Sequence, residues 1–155
     1  MKKTTLFKSG VIAACVCGLV ACCGLTACGG GGDVSYKDGT YTGQSTVFID
    51  EDEGNGNGYG VATITIKDGA IASCEFLTYE EDGTLKDKDY GKTNGKVTNQ
   101  DFYNKAQKAV AGSKEYAEKL VEAGSLAGVE CISGATISYG EFQEAVEIAL
   151  DEAAE

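Results

Sequence analysis

Histidine and arginine are both missing from the 155 residues. Without an imidazole, Ser-His-Asp and Cys-His catalysis and histidine-ligated zinc are excluded. Every cation is therefore a lysine, and 13 of them stand against 24 acids for a net charge of −11. The lysines are interleaved with Asp and Glu, so the clustered positive charge that grips a phosphate backbone is lacking and no nucleic-acid partner is expected. Cysteine is scarce beyond the N-terminus. Cys15, Cys17, Cys22, Cys23 and Cys28 fall in the first 28 residues, and only Cys74 and Cys131 follow. That distribution suits a targeting segment, not a disulfide scaffold, and the two later cysteines are expected to be buried, inert thiols.

The N-terminus has the build of an export signal, with Lys2, Lys3 and Lys8 ahead of an apolar run from Gly10 to Ala27. Leu25-Thr26-Ala27-Cys28 resembles the bacterial lipobox, in which the cysteine thiol receives diacylglycerol and the chain is cleaved in front of it. Leu19-Val20-Ala21-Cys22 is the alternative site. Cys28 is preferred because four glycines follow as a tether. Residues 1–27 are thus expected to be a lipoprotein signal peptide and 28–36 a Gly-rich tether, with 37–155 left for one domain. An uncleaved transmembrane anchor is the other reading, since the run approaches the ~20 residues that span a bilayer. Either way the N-terminal lysines place the remainder outside the cytoplasm, on the membrane's outer face.

Within the domain, β-formers between glycines predict a strand over about residues 40–48. Acids and glycines over 50–58 predict a loop that lacks the ligand order of an EF-hand, so no metal site is expected. Val61 to Ile66 alternates, and Asp68-Gly69 then precedes a second β-rich run to Tyr79, which predicts a hairpin. Ile66 falls opposite Ile71, yet Cys74 and Phe76 have the wrong parity, so a bulge is expected near Ala72-Ser73. Residues 80–98 predict a long surface loop. Helical spacing begins at Asp101, breaks at Gly112-Ser113 and resumes to Gly124, which predicts two helices. Phe142, Ala145, Val146, Ala149, Leu150 and Ala153 predict an amphipathic helix over roughly 139–153.

The start of that last helix carries the chemistry. Ser138 with Glu141 reads as a capping box and Ile137 with Phe142 as a hydrophobic staple, which would put Thr136 two residues ahead of the N-cap. Free backbone N–H groups and the positive helix end attract anions there, and Ser133-Gly134-Ala135 lets the backbone approach one closely.

Ser133-Gly134-Ala135-Thr136-Ile137-Ser138 resembles the flavinylation signature of the FMN-binding domain family, found in flavin subunits of sodium-pumping NADH:quinone reductase-like complexes. Asp38-Gly39-Thr40-Tyr41 and the Lys67-Asp68-Gly69 turn match it too. The resemblance implies an α+β fold, a small antiparallel β-sheet packed against a few helices, over residues 37–155. It also implies that a flavin transferase, using FAD, joins FMN through its phosphate to the hydroxyl of Thr136. The family usually has aspartate where this chain has Glu130, a candidate recognition point for that transferase. Family comparison puts Tyr79, Glu80 and Tyr59 near the isoalloxazine ring, and Tyr139 is a further aromatic able to stack.

The implied function is that of a lipid-anchored electron carrier between a membrane quinone- or flavin-dependent donor and an extracytoplasmic acceptor. Two other functions fit the residues: a flavin-dependent extracytoplasmic reductase component, or a cofactor-free surface binding lipoprotein.

Overall fold

The computed structural model describes residues 35–51 and 56–154. The signal segment, both lipobox cysteines and the centre of the acidic loop lie outside the described residues. Three strands, β1 (Gly39–Gln44), β2 (Tyr59–Lys67) and β3 (Ala70–Tyr79), form an antiparallel sheet in the order β1-β2-β3. Helices α1 (Gln100–Ala123) and α2 (Thr136–Ala153) complete the α+β fold.

The hairpin follows the local code. Asp68 (φ 53°) and Gly69 (φ 73°) both adopt positive φ, the requirement of a type I′ turn. Ile66 pairs with Ile71, and Thr65 pairs with Ser73, so Ala72 is the extra residue of the expected bulge. The bulge returns Phe76 and Thr78 to the buried face. The opposite face is polar, with Thr40–Thr65 and Thr42–Thr63 hydroxyl contacts at 3.3 and 3.4 Å.

Both helices cover one face of the sheet, α2 across β1 and β2, and α1 against β3 and α2. Between them lies the core of Ala62, Ile64, Ile66, Phe76, Tyr116, Leu120, Phe142, Val146 and Ala149. Phe142 is its hub, edge-on to Phe76 at 5.1 Å and stacked on Tyr116 at 5.3 Å. Every apolar position expected to face inward from α2 is buried. Among the described residues, no helix is long and apolar enough to cross a membrane.

Two expectations, one for a helix and one for a strand, are corrected. The expected break at Gly112-Ser113 does not occur, and α1 runs unbroken through it to Gly124, whose φ of 67° ends the helix. Gly112 serves packing instead: a Cβ there would lie 2.5 Å from the Cβ of Ala135. The first strand is also shorter than expected, ending at Gln44, with Phe48 returning only to an isolated bridge with Gly58.

A candidate flavin site at the start of the second helix

The motif begins as a turn. Ala135 N–H donates to Ile132 O at 3.0 Å, closing the four residues Ile132 to Ala135. Gly134, third in the turn, has a φ of 87°, the left-handed value that a type II turn requires there. Tyr139 N–H then donates to Ala135 O at 3.0 Å, the first bond of α2. Thr136, Ile137 and Ser138 are thereby the first three helical residues, and their N–H groups have no acceptor within the helix. Ala135 is the N-cap and brings no side-chain acceptor, and the first turn contains no acid.

This corrects the expected capping box and staple. Ser138 lies inside the helix and is buried. Glu141 faces the core side of α2, so it cannot reach back to the helix start. Ile137 is 36% exposed, while Phe142 is fully buried in the core. Thr136 is consequently the first residue of α2, not a residue preceding its cap, and it is exposed.

Two tyrosines hold the motif from behind. The Tyr116 hydroxyl accepts from Ile132 N–H at 2.8 Å and donates to Ala135 O at 3.1 Å, so one side chain bonds both ends of the turn. Burial pushes this phenol up to about 12, which keeps it a neutral donor. Tyr139 packs against Tyr116 at 5.3 Å and donates to Val129 O at 2.6 Å. No pattern in the sequence marks Tyr116 for this task, because its spacing on α1 is that of an ordinary core residue.

In front of the motif lies a cavity of about 630 Å³, lined in part by Gly134, Ala135, Thr136, Ile137 and Ser138. That volume is ample for a cofactor, since small-molecule sites run to about 300–1,000 Å³. One wall is apolar, made by Phe102, Ala106, Ala109 and Val110 of α1. The rest includes Lys86, Tyr90 and Lys105. A further lysine, Lys108, lies beside Gly134: a Cβ built on that glycine would be 2.9 Å from its Nζ. An apolar wall, an aromatic phenol, nearby ammonium groups and an uncapped helix start fit a planar ring joined to a phosphate.

Lys86 comes from the long loop after β3 yet is only 8% exposed. Its Nζ donates to Gly56 O at 2.9 Å, lies 3.9 Å from Glu141 Oε1, and sits 5.4 Å from the Tyr90 ring centroid. Burial lowers its proton affinity, partly offset by the charges of Glu141 and Glu80. Nothing in the sequence distinguishes Lys86 from its solvated neighbours.

The remaining sequence candidates lie elsewhere. Ser133 is exposed in the turn but does not line the cavity, and Glu130 is exposed ahead of it. Tyr79 stacks on Tyr59, with ring centroids 5.3 Å apart, and Tyr139 joins Tyr116; none of the three lines the cavity. Glu80 reaches it only through its charge on Lys86 and Tyr90. The aromatics in the wall are Tyr90 and Phe102. Cys74 and Cys131 are both free thiols. Cys74 is half-buried, and burial pushes its thiol up to about 12, as an inert cysteine requires. Cys131, expected to be buried, is exposed, because the segment before the turn runs along the surface.

Among the described residues no group of three or more acids or cysteines is placed to hold a metal ion. No curated protein matches the chain. The fold is similar to a crystal structure of a Clostridium perfringens protein, with a TM-score of 0.55 and 22% identity over 76% of this chain and 88% of that one. A solution structure from Clostridium thermocellum shares 22% identity over 76% of this chain and 92% of that one, with a TM-score of 0.42. The sequence profile of the FMN-binding domain matches residues 55–151, which takes in β2, β3, α1, the motif turn and nearly all of α2. With that span matched, the chain belongs to the FMN-binding domain family.

Proposed function

We propose that this protein is a lipid-anchored, extracytoplasmic electron carrier whose FMN is esterified through its phosphate to the hydroxyl of Thr136. The observation that carries this reading is the position of Thr136, exposed at the first residue of α2 and on the wall of the cavity. A phosphate on its oxygen meets the unpaired N–H groups of the first helical turn and the positive end of the helix. Lys105 and Lys108 supply positive charge nearby, in place of the absent arginines. Phe102, Ala109 and Val110 offer the apolar surface on which a ring is sheltered.

When bound, FMN supplies one- and two-electron redox chemistry, and the protein supplies orientation, charge and a dry wall. No side chain need break a bond in a substrate. The attachment requires a flavin transferase using FAD, which would approach the exposed Ser133, Gly134 and Thr136 together with Glu130. Electrons would come from a membrane quinone- or flavin-dependent donor and pass to an extracytoplasmic acceptor. A lipid on Cys28 (alternatively Cys22) keeps the carrier at the membrane surface.

Mass spectrometry of protein exported by a host with an active transferase tests the reading. A peptide containing Thr136 is expected to carry FMN less one water, and Thr136→Ala is expected to be colourless while still folded. An unmodified Thr136 from that host would overturn the proposal.

A further inference from the structure

Glu141 sits where carboxylates are seldom found. Its side chain is 3% exposed, and neither oxygen has a hydrogen-bond partner. Lys86, 3.9 Å away, is the cation that faces it. The two form a layered arrangement: Lys86 is part of the cavity wall, and Glu141 lies behind it on α2, with its Cβ close to Gly60 of β2. The Lys86 ammonium is shared between Gly56 O, the Tyr90 ring and Glu141. From the end of β3, Glu80 acts electrostatically on Lys86 and Tyr90. Asp50, Asp101 and Lys105 line the same cavity.

A pair built only for stability would have its carboxylate oxygens satisfied by donors, as buried polar groups usually are. Here they are not, and desolvation pushes the Glu141 carboxyl up to about 7, with Lys86 opposing the rise. The protonated and ionised forms are therefore close in free energy at neutral pH. Any charge added to the cavity decides between them, because charges interact strongly where water is sparse.

We propose that Glu141, acting through Lys86, binds a proton from solvent when electrons enter the cavity and releases it when they leave. This rests on the flavin reading above. In a two-electron reduction by a membrane quinol or a reduced flavoprotein, two electrons and one proton go to the ring, which becomes one unit more negative. The Glu141 carboxylate takes a second proton from water, forming its O–H bond and cancelling that unit, while the donor is oxidised by two electrons. Reoxidation reverses both transfers. Glu141 is thus a positioning residue for charge, reaching the cavity through Lys86 and through its charge on Tyr90.

The test is the flavin midpoint potential of the exported, loaded protein measured from pH 7 to 9, where Glu141 is ionised before reduction, for native, Glu141→Gln and Lys86→Met. The native potential is expected to fall with pH about twice as steeply as that of Glu141→Gln, two protons per two electrons against one. At pH 8, Glu141→Gln is expected to have the higher potential, because an anion has been removed. Lys86→Met is expected to have a lower potential than native, because a cation has been removed. A merely structural pair would shift both variants alike and leave the slope unchanged, and that result overturns the proposal. A second readout needs no flavin: in Thr136→Ala, the carbon-13 resonance of the Glu141 carboxyl is expected to titrate near neutrality. A titration in the ordinary carboxylate range overturns the proposal even if a variant fails to fold. Flavin absent from the Thr136 peptide defeats the parent reading and the electron-coupled step with it. A loaded protein with native and glutamine slopes equal defeats this proposal alone.

Discussion

At the scale of single residues, the motif depends on groups outside it. Replacing Tyr116 with Phe leaves Ile132 N–H without its acceptor and Ala135 O without one of its donors. An unsatisfied buried donor costs about 1–3 kcal/mol, so urea unfolding of Tyr116→Phe is expected to shift by that amount. Flavin incorporation should also fall, because the turn presenting Thr136 is freed at both ends; unchanged stability and loading would show that the hydroxyl does not hold the turn. Glu141 yields a prediction in pH. Its folded-state affinity for protons is raised, from 4.5 to about 7, so the folded protein binds more protons than the unfolded chain between those values. Stability from this group therefore falls as pH rises through that window, by about 3 kcal/mol at most. Urea midpoints at pH 5 and pH 8 check this: Glu141→Gln is expected to gain on the native protein at the higher pH and to match it at the lower. Neither residue was legible from sequence in these roles. Tyr116 has the spacing of a core aromatic. Glu141, three residues after Ser138, has the spacing of a capping box, and only its place on the buried face of α2 shows otherwise.

At the scale of elements, legibility followed how local the determining interaction is. The Asp68-Gly69 turn and the bulge at Ala72 were both readable, because turn chemistry and side-chain parity act over a few residues and conflict visibly when a residue is extra. The continuity of α1 was not readable, since Gly112 owes its identity to Ala135, 23 positions on in the chain. Glycine costs about 1 kcal/mol relative to alanine inside a helix, so propensity alone says Gly112→Ala should stabilise. Packing says the opposite: the new Cβ would lie 2.5 Å from that of Ala135, which is fixed to the backbone of the motif turn. Overpacking of this kind costs about 1–3 kcal/mol and is expected to win narrowly. A double-mutant cycle separates the two terms. Gly112→Ala alone should destabilise, and adding Ala135→Gly should recover part of the loss by clearing the contact. Additive effects in urea unfolding would mean that the two positions do not touch in solution.

At the scale of the whole molecule, α1 serves two environments along its length. Its C-terminal half is held in the core by Tyr116, Ala117 and Leu120, which are buried against the sheet and α2. Its N-terminal half presents Phe102, Ala109 and Val110, half-buried, to the cavity. Apolar side chains that face a cavity gain little from burial until something fills it. Local stability is set by such contacts, so the two halves of one helix should open with different free energies. Native-state hydrogen exchange on protein without flavin, using Thr136→Ala, is expected to show amides near residues 104–110 exchanging faster than those near 116–122. Loading with flavin should slow the first group and leave the second nearly unchanged, since binding to the folded state alone raises only those openings that empty the site. Equal protection along the helix before loading, or a uniform rise after it, would mean that α1 opens as one unit and that the cavity wall is as firmly held as the core.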